Sequence, residues 1–281
     1  MAEAITSARN PLLKRVRALA TRRRDREAEG CSILEGVRLA EEALRAGVTL
    51  EVALYTDELA ARREAAGVLD GLAAAGVRRV RVPADLLARV ADTVTPQGLL
   101  AVFRIPGRTL EELVASVALA APPGDRARRA AGPLVVADGL QDPGNLGTLV
   151  RSAHALGAAG LVATGGAADP WAPKVVRAAM GGLFRLPVAV EPDPEAVVAR
   201  LRQAGVPIVV ADARGERLPW EVDWRRPLAL VVGSEARGPS PAFRRAAGGT
   251  VRIPMPGEAE SLNAAIAGTL LLYEALRQRG G

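Results

Sequence analysis

The chain has 281 residues, 49% hydrophobic and 24% charged, an ordinary globular balance that excludes wholesale disorder. No uninterrupted apolar run reaches the ~18 residues of a membrane-spanning helix, and residues 1–26 are polar and Arg-rich, so no signal peptide is expected there. One cysteine, Cys31, and one histidine, His154, exclude an internal disulfide, a cysteine-cluster metal site and a multi-histidine site, and make a reducing, cytoplasmic setting the default. The formal charge is +6, and among the 37 basic residues only Lys14 and Lys174 are lysine. Arginine enrichment fits GC-rich coding as well as a phosphate-binding surface, so the placement of the charge decides its weight.

The charge gathers first at the N-terminus. Arg9, Lys14, Arg15, Arg17, Arg22, Arg23, Arg24 and Arg26 stand against one acid, Asp25. Leu12, Leu13, Val16 and Leu19 share one helical face, which predicts a basic amphipathic helix. A run this one-sided favours a polyanion partner over a merely solvated face.

Short apolar runs at 31–34, 50–55, 80–82 and 99–103 then predict strands, with helical patterns at 37–46, 59–75 and 84–91. Residues 1–105 thus read as a small α/β domain. Residues 106–131 read as a linker: a short helical candidate at 110–119 precedes a stretch of Pro, Gly, Ala and Arg without apolar period. In 132–281, strands are predicted at 134–137, 160–164, 186–190, 207–211, 228–232 and 249–253. Helices are predicted at 146–156, 173–180, 195–204, 241–246 and 261–279. Continuous Val/Leu/Ile runs alternating with helices predict a mainly parallel sheet covered on both faces.

Ligands bind beyond the carboxyl ends of such strands, and three strand ends are unusual. The first runs from Asp138 to Arg151, where Gly139, Pro143, Gly144 and Gly147 allow a tight strand-to-helix loop. Asn145 can cap the helix or aim its amide at a ligand. Arg151 lies six residues on, about one and two-thirds turns later, so a bend is needed for both to reach one site. Neither a dinucleotide fingerprint nor a P-loop is present. The second end is Leu230-Val-Val-Gly-Ser-Glu-Ala-Arg-Gly238, where Glu235 is a helix cap or a functional acid with equal weight. The third is Val251-Arg-Ile-Pro-Met-Pro-Gly257 leading to Ser261-Leu-Asn263, in which Ser261 can cap the last helix and Asn263 falls in its first turn.

Together these motifs resemble the SpoU/TrmH-like RNA 2′-O-ribose methyltransferases of the SPOUT superfamily. The matching residues are Asn145-x-Gly147-x-x-x-Arg151, Leu230-Val-x-Gly233-Ser234-Glu235-x-x-Gly238, Ile253-Pro-Met-x-Gly257 and Ser261-Leu262-Asn263. Pro173-Lys-Val-Val-Arg-Ala-Ala-Met-Gly181 looks like the segment between the first two. The likeness covers 132–281. It extends more weakly to Ile33-Leu-Glu-Gly-Val-Arg-Leu-Ala-Glu-Glu-Ala-Leu44 and Thr95-Pro-Gln-Gly98, which look like the family's RNA-binding domain. This chain has Ala172 and Ala179 where the family often carries hydroxyls.

The resemblance implies a trefoil knot, a homodimer, no metal, and S-adenosylmethionine held near Thr164, Gly165, Gly233, Ile253 and Leu262. It implies methyl transfer to a ribose 2′-hydroxyl of RNA, with Arg151, Asn145, Glu235, Ser261 and Asn263 as catalytic residues. Arginine is normally never neutral in a protein, so contact with the target phosphate or ribose is a safer role for Arg151 than proton abstraction. Arg9, Lys14, Arg15, Arg22 and Arg23 are the expected RNA contacts. Ribosomal RNA is favoured by the N-terminal domain; the alternatives are transfer RNA and a non-catalytic RNA-binding protein of the same fold.

Overall fold

The structure is a computed structural model and describes residues 3–91, 93, 95–118, 132–258 and 260–280. In chain order the elements are β1 (Glu3–Ala4), α1 (Pro11–Thr21), α2 (Arg23–Glu29), β2 (Cys31–Glu35), α3 (Val37–Arg45), β3 (Leu50–Tyr55), α4 (Asp57–Ala60), α5 (Arg63–Ala74), β4 (Arg78–Arg81), α6 (Ala84–Ala88) and β5 (Leu99–Arg104). There follow α7 (Leu110–Ala118), β6 (Leu134–Asp138), α8 (Pro143–Ala155), β7 (Gly160–Thr164), α9 (Pro173–Ala178), β8 (Val188–Val190), α10 (Pro194–Gln203), β9 (Ile208–Ala211), β10 (Ala229–Gly233), α11 (Pro241–Ala246), β11 (Gly249–Val251) and α12 (Ala264–Gln278). They form two compact units: Met1–Pro106 with Trp171–Phe184, and Gly107–Pro170 with Arg185–Gly281.

In the first unit the sheet order is β1-β4-β3-β5-β2. Strands β1, β4 and β3 are parallel, and β5 runs antiparallel to both β3 and β2. The N-terminal charge run is two helices rather than one, because Arg22 is extended between α1 and α2. Asn10 starts α1 by accepting from the Leu12 amide. Leu13, Val16 and Leu19 are buried in the same core as Ile33, Leu54 and Val102. Helix α1 is therefore part of the domain, not a detachable basic arm.

The arginines of this run divide by partner. Arg26 is buried and donates to the Leu19 carbonyl. Arg15 donates to Glu29 at 2.6 Å and to Glu51 at 2.7 Å, and Arg104 reaches Glu51 from the other side at 2.7 Å. Arg22 and Arg23 pair with Asp25 and Glu27. Arg9, Lys14 and Arg17 are exposed and carry no ion pair among the described residues.

The helix predicted over 59–75 is likewise two helices. The Thr56 side chain accepts from the Leu59 amide and starts α4, and Arg62 is extended before α5. The segment 171–184 adds to this unit a stretch the sequence reading assigned to 132–281. Buried Ser32 donates to the Trp171 carbonyl at 2.6 Å, and Phe184 stacks edge-on against Phe103. Ala172 occupies the N-cap position of α9 without a capping side chain, and Ala179 is buried.

The second unit holds six parallel strands in the order β11-β9-β10-β6-β7-β8, as the Val/Leu/Ile runs predicted. The part of 106–131 expected as linker that is described, 106–118, is not a free spacer. Leu110, Leu113, Val114 and Val117 of α7 are buried with Val136, Val162, Val231 and Phe243 in one core. The Pro/Gly/Arg stretch at 119–131 lies outside the described residues. On the site-bearing side α12 lies against α8, where Thr269 donates to the Ser152 hydroxyl at 2.7 Å. Gly268 permits the approach: a Cβ there would sit 2.6 Å from Leu149 Cδ1 and 3.2 Å from Val232 Cγ2.

Two outcomes follow. Gly268→Val forces a branched side chain into this contact, and overpacking of this kind costs about 1–3 kcal/mol, to be read as a lowered unfolding midpoint. Burial raises the Glu51 pKa, but the Arg15 hydrogen bond and the Arg15 and Arg104 charges outweigh it, leaving the carboxyl below its ordinary 4.5. Its contribution is therefore present above the unfolded pKa and is lost as pH falls through the folded one. Glu51→Gln should cost about 1 kcal/mol at pH 7, with the difference from the parent closing below about pH 4, measured by denaturant unfolding across pH.

Candidate active site

The parallel strands of the second unit all end at one edge, so the loops after β6, β9, β10 and β11 leave the sheet together. Asp142, not Asn145, caps α8: its carboxylate accepts from the Asn145 amide at 2.8 Å, and Pro143 follows at the first helical position. The Asn145 side chain is thereby released from capping and faces outward. Its Nδ2 donates to Glu235 Oε1 at 2.5 Å, and its Oδ1 accepts from Asn263 Nδ2 at 2.8 Å. Glu235 is not a helix cap, since Ser240 holds that position for α11.

At the third strand end Asn263, rather than Ser261, is the N-cap of α12. Its Oδ1 accepts from the Ala265 and Ile266 amides at 3.0 and 3.2 Å. The reason is geometric. The helix begins at Ala264, and a capping side chain reaches the second and third helical amides, which places the cap at 263. One relay, Glu235–Asn145–Asn263, thus links the exits of β10, β6 and β11.

Beside it lies a cavity of 1040 Å³ lined by the three loops after β9, β10 and β11. Its apolar side includes Val232, Ile253, Leu262 and Leu271; its polar side includes Asp212, Glu235 and Asn263. Gly233, Ile253, Leu262, Glu235, Ser261 and Asn263 all line it, as the sequence reading brought them together. Thr164 and Gly165 are not among its lining: Thr164 is buried at the end of β7, and Gly165 packs on Asp138, whose Oδ1 would lie 2.3 Å from a Cβ there. Arg151 also stands apart, exposed on α8, with no side-chain hydrogen bond or ion pair among the described residues. His154 is exposed near the end of the same helix.

Gly233 is glycine because the chain approaches itself: a Cβ at 233 would lie 2.2 Å from Pro239 N and 2.4 Å from Gly238 C. Arg244 escaped the sequence reading altogether. It lines the cavity and donates to Asp212 and to the carbonyls of Pro239 and Arg237. Its place in a short Arg-Arg pair on α11 gave no signal.

The chain is similar to known proteins over both units. Residues 132–273 match the model of the SpoU rRNA methylase family, and residues 10–101 match an MRM3-like substrate binding domain. The 23S rRNA (uridine(2479)-2′-O)-methyltransferase of Streptomyces viridochromogenes is 34% identical over 284 residues, covering 99% of this chain and 93% of that protein. The 23S rRNA (guanosine(2553)-2′-O)-methyltransferase of Bacillus subtilis is 30% identical, covering 96% and 97%. The crystal structure of an AdoMet-bound rRNA methyltransferase from Sinorhizobium meliloti superposes with a TM-score of 0.81 at 30% identity, covering 98% of each chain.

The relay makes a specific demand on Asn145, which must donate at one end and accept at the other. Asn145→Asp keeps the shape but sets a second carboxylate against Glu235. The expected result is a cavity whose ligand affinity falls at least about tenfold at pH 7 and recovers with Glu235→Gln in the same chain, read by calorimetry. Additive losses in the double variant would mean that the contact between 145 and 235 does not organise the cavity.

Proposed function

The chain belongs to the SpoU rRNA methylase family, and from that premise we propose that it transfers a methyl group from S-adenosylmethionine to a ribose 2′-hydroxyl of ribosomal RNA. The observation that carries this reading is the relay Glu235–Asn145–Asn263 at the rim of the cavity. The names of the Streptomyces and Bacillus relatives favour 23S ribosomal RNA over transfer RNA. A 2′-hydroxyl as target requires RNA rather than DNA.

The cavity suits the cofactor chemically. Val232, Ile253, Leu262 and Leu271 offer apolar surface to a nucleoside, and Glu235 and Glu260 offer negative charge to a sulfonium and an ammonium. Gly233, Ile253 and Leu262 would hold the cofactor through the loops they belong to. S-adenosylmethionine supplies a methyl group that is already activated, so no metal is required for the transfer. The protein must align the hydroxyl with that methyl and accept or stabilise the loss of the hydroxyl proton. Glu235, Asn145, Asn263 and Ser261 would fix the ribose and the loop geometry. Arg151, a permanent cation, would contact the target phosphate or ribose and favour the alkoxide.

A homodimer is part of the reading. Ile266, Leu270 and Tyr273 form an exposed apolar stripe on α12, at 47%, 44% and 59% exposure, and Leu262 continues it to the cavity. A second copy covering this stripe would close beside the site. The family's trefoil knot is consistent with three C-terminal loops wrapped around one cavity. A cytoplasmic location goes with a ribosomal substrate. The first unit would bind RNA, with Arg9 and Lys14 as backbone contacts and Arg22 and Arg23 weakened in that role by their carboxylate partners; Arg15 is committed to Glu29 and Glu51.

Mapping ribose methylation across total RNA from a deletion strain and its parent tests the activity, with one lost 2′-O-methyl mark in large-subunit rRNA as the expected result. A mark lost from transfer RNA would select the other substrate, and no lost mark would remove the activity. Arg151→Ala should lower single-turnover methyl transfer by 100-fold or more, about 2.7 kcal/mol, with cofactor affinity unchanged. Arg151→Lys keeps charge but not the planar fork, so activity that rises with pH in this variant alone would identify proton abstraction. Arg9→Glu with Lys14→Glu should flatten the salt dependence of RNA binding by about two counterions and leave cofactor binding intact.

A further inference from the structure

Arg244 sits on α11, outside every motif that marks the site, yet its guanidinium joins two of the loops around the cavity. Nη1 lies 3.0 Å from Asp212 Oδ2, Nε lies 3.0 Å from the Pro239 carbonyl, and Nη2 lies 3.3 Å from the Arg237 carbonyl. Asp212 opens the loop after β9, and Arg237 and Pro239 belong to the loop after β10; all four residues line the cavity.

Each partner is itself anchored. The other Asp212 oxygen accepts from the Arg214 amide at 2.9 Å, and the Asp212 amide donates to the Val251 carbonyl at the end of β11. The loop after β10 returns over Gly233 and closes at Gly238, whose φ is +65°. A Cβ at 238 would stand 2.6 Å from Arg244 Nη2. Gly238 is thus glycine for two reasons, the left-handed turn and the guanidinium that fills its open side.

We propose that Arg244 is a positioning residue for the cofactor: its bonds to Asp212 and to the 237 and 239 carbonyls hold the cavity loops in their binding shape before the ligand arrives. The inference rests on the reading of this cavity as the S-adenosylmethionine site. The physical argument is preorganisation. Loops that must be ordered on binding subtract their ordering cost from affinity, and a planar guanidinium meets a carboxylate and two carbonyls at once, which an ammonium on a flexible stem does not. Half of the Arg244 side chain, 48%, remains exposed, so its bonds define loop geometry rather than core packing.

The test uses the full chain with S-adenosylmethionine, measuring cofactor affinity by calorimetry, KM for cofactor and kcat in methyl transfer, and the unfolding midpoint. Arg244→Lys, Asp212→Asn and Gly238→Ala should each weaken cofactor affinity at least about tenfold. The loss should fall on the cofactor KM more than on kcat, with midpoints of Arg244→Lys and Asp212→Asn within about 3 °C of the parent and that of Gly238→Ala lower, because its left-handed turn is strained. Arg244→Lys combined with Asp212→Asn should be no worse than the more affected single variant, because both remove one interaction. Parent-like affinity in folded Arg244→Lys and Asp212→Asn would overturn the proposal, as would a midpoint loss with unchanged KM, which is the mark of a purely structural bond. If one variant fails to fold, the other two decide. A parent protein that binds no S-adenosylmethionine would instead overturn the reading of the cavity itself.

Discussion

One carboxamide carries the organisation of the site. Parallel strands deliver their loops to a common edge but do not fix them to one another, because each ladder bond ends where its strand ends. In the sheet order β11-β9-β10-β6-β7-β8 the exits of β6 and β10 are neighbours, while the exit of β11 lies two strands further out. The Asn145 side chain spans that gap, donating to Glu235 and accepting from Asn263. A carboxamide does both from one rigid plane. The division of labour at the start of α8 is what frees it: Asp142 takes the capping role, so that the residue three positions on can serve the site.

The arginine content reads quite differently once partners are known. In sequence, Arg9 to Arg26 is one block of charge. In the fold, Arg26 is a buried donor to a carbonyl and Arg15 is the centre of an ion-pair network with Glu29 and Glu51. Surface pairs such as Arg23 with Glu27 contribute little to stability but reduce the charge that remains for a phosphate. Net charge counts all of these equally, whereas phosphate binding depends on the cations left without a carboxylate. The same partition holds in the second unit, where Arg244 is spent on loop geometry and Arg151 is left exposed.

The parallel sheet, its strands and the three special strand ends were legible because they depend on local pattern: continuous β-branched runs, alternating helices, and glycine and proline where the chain must turn. Most strand bounds agree within two residues. What escaped was decided by tertiary partners. The sequence puts Ser261 at the cap and Asn263 in the first turn, and the start of α12 at Ala264 moves the cap to Asn263. Helix α7 has a clear apolar period, but nothing local says that it completes the core of the second unit. The allegiance of 171–184 to the first unit depends on Ser32 and Phe103, more than sixty residues away in the chain. Arg244 has no motif because its partners are backbone carbonyls and one loop aspartate, none of which constrains sequence near it.

Helix α12 ties these levels together. Its first turn is held by Asn263, which is also the last member of the relay and part of the cavity wall. Its buried face reaches α8 through Gly268 and Thr269, and its opposite face is the apolar stripe Ile266–Leu270–Tyr273. A helix start is the least stable part of a helix, because its first amides lack intrahelical partners. Here those amides are satisfied by the same side chain that organises the site. Ordering the cap and ordering the relay are therefore one event. A second copy covering the stripe, as proposed, would stabilise the helix whose cap completes that relay, and would couple association to site order through a single element.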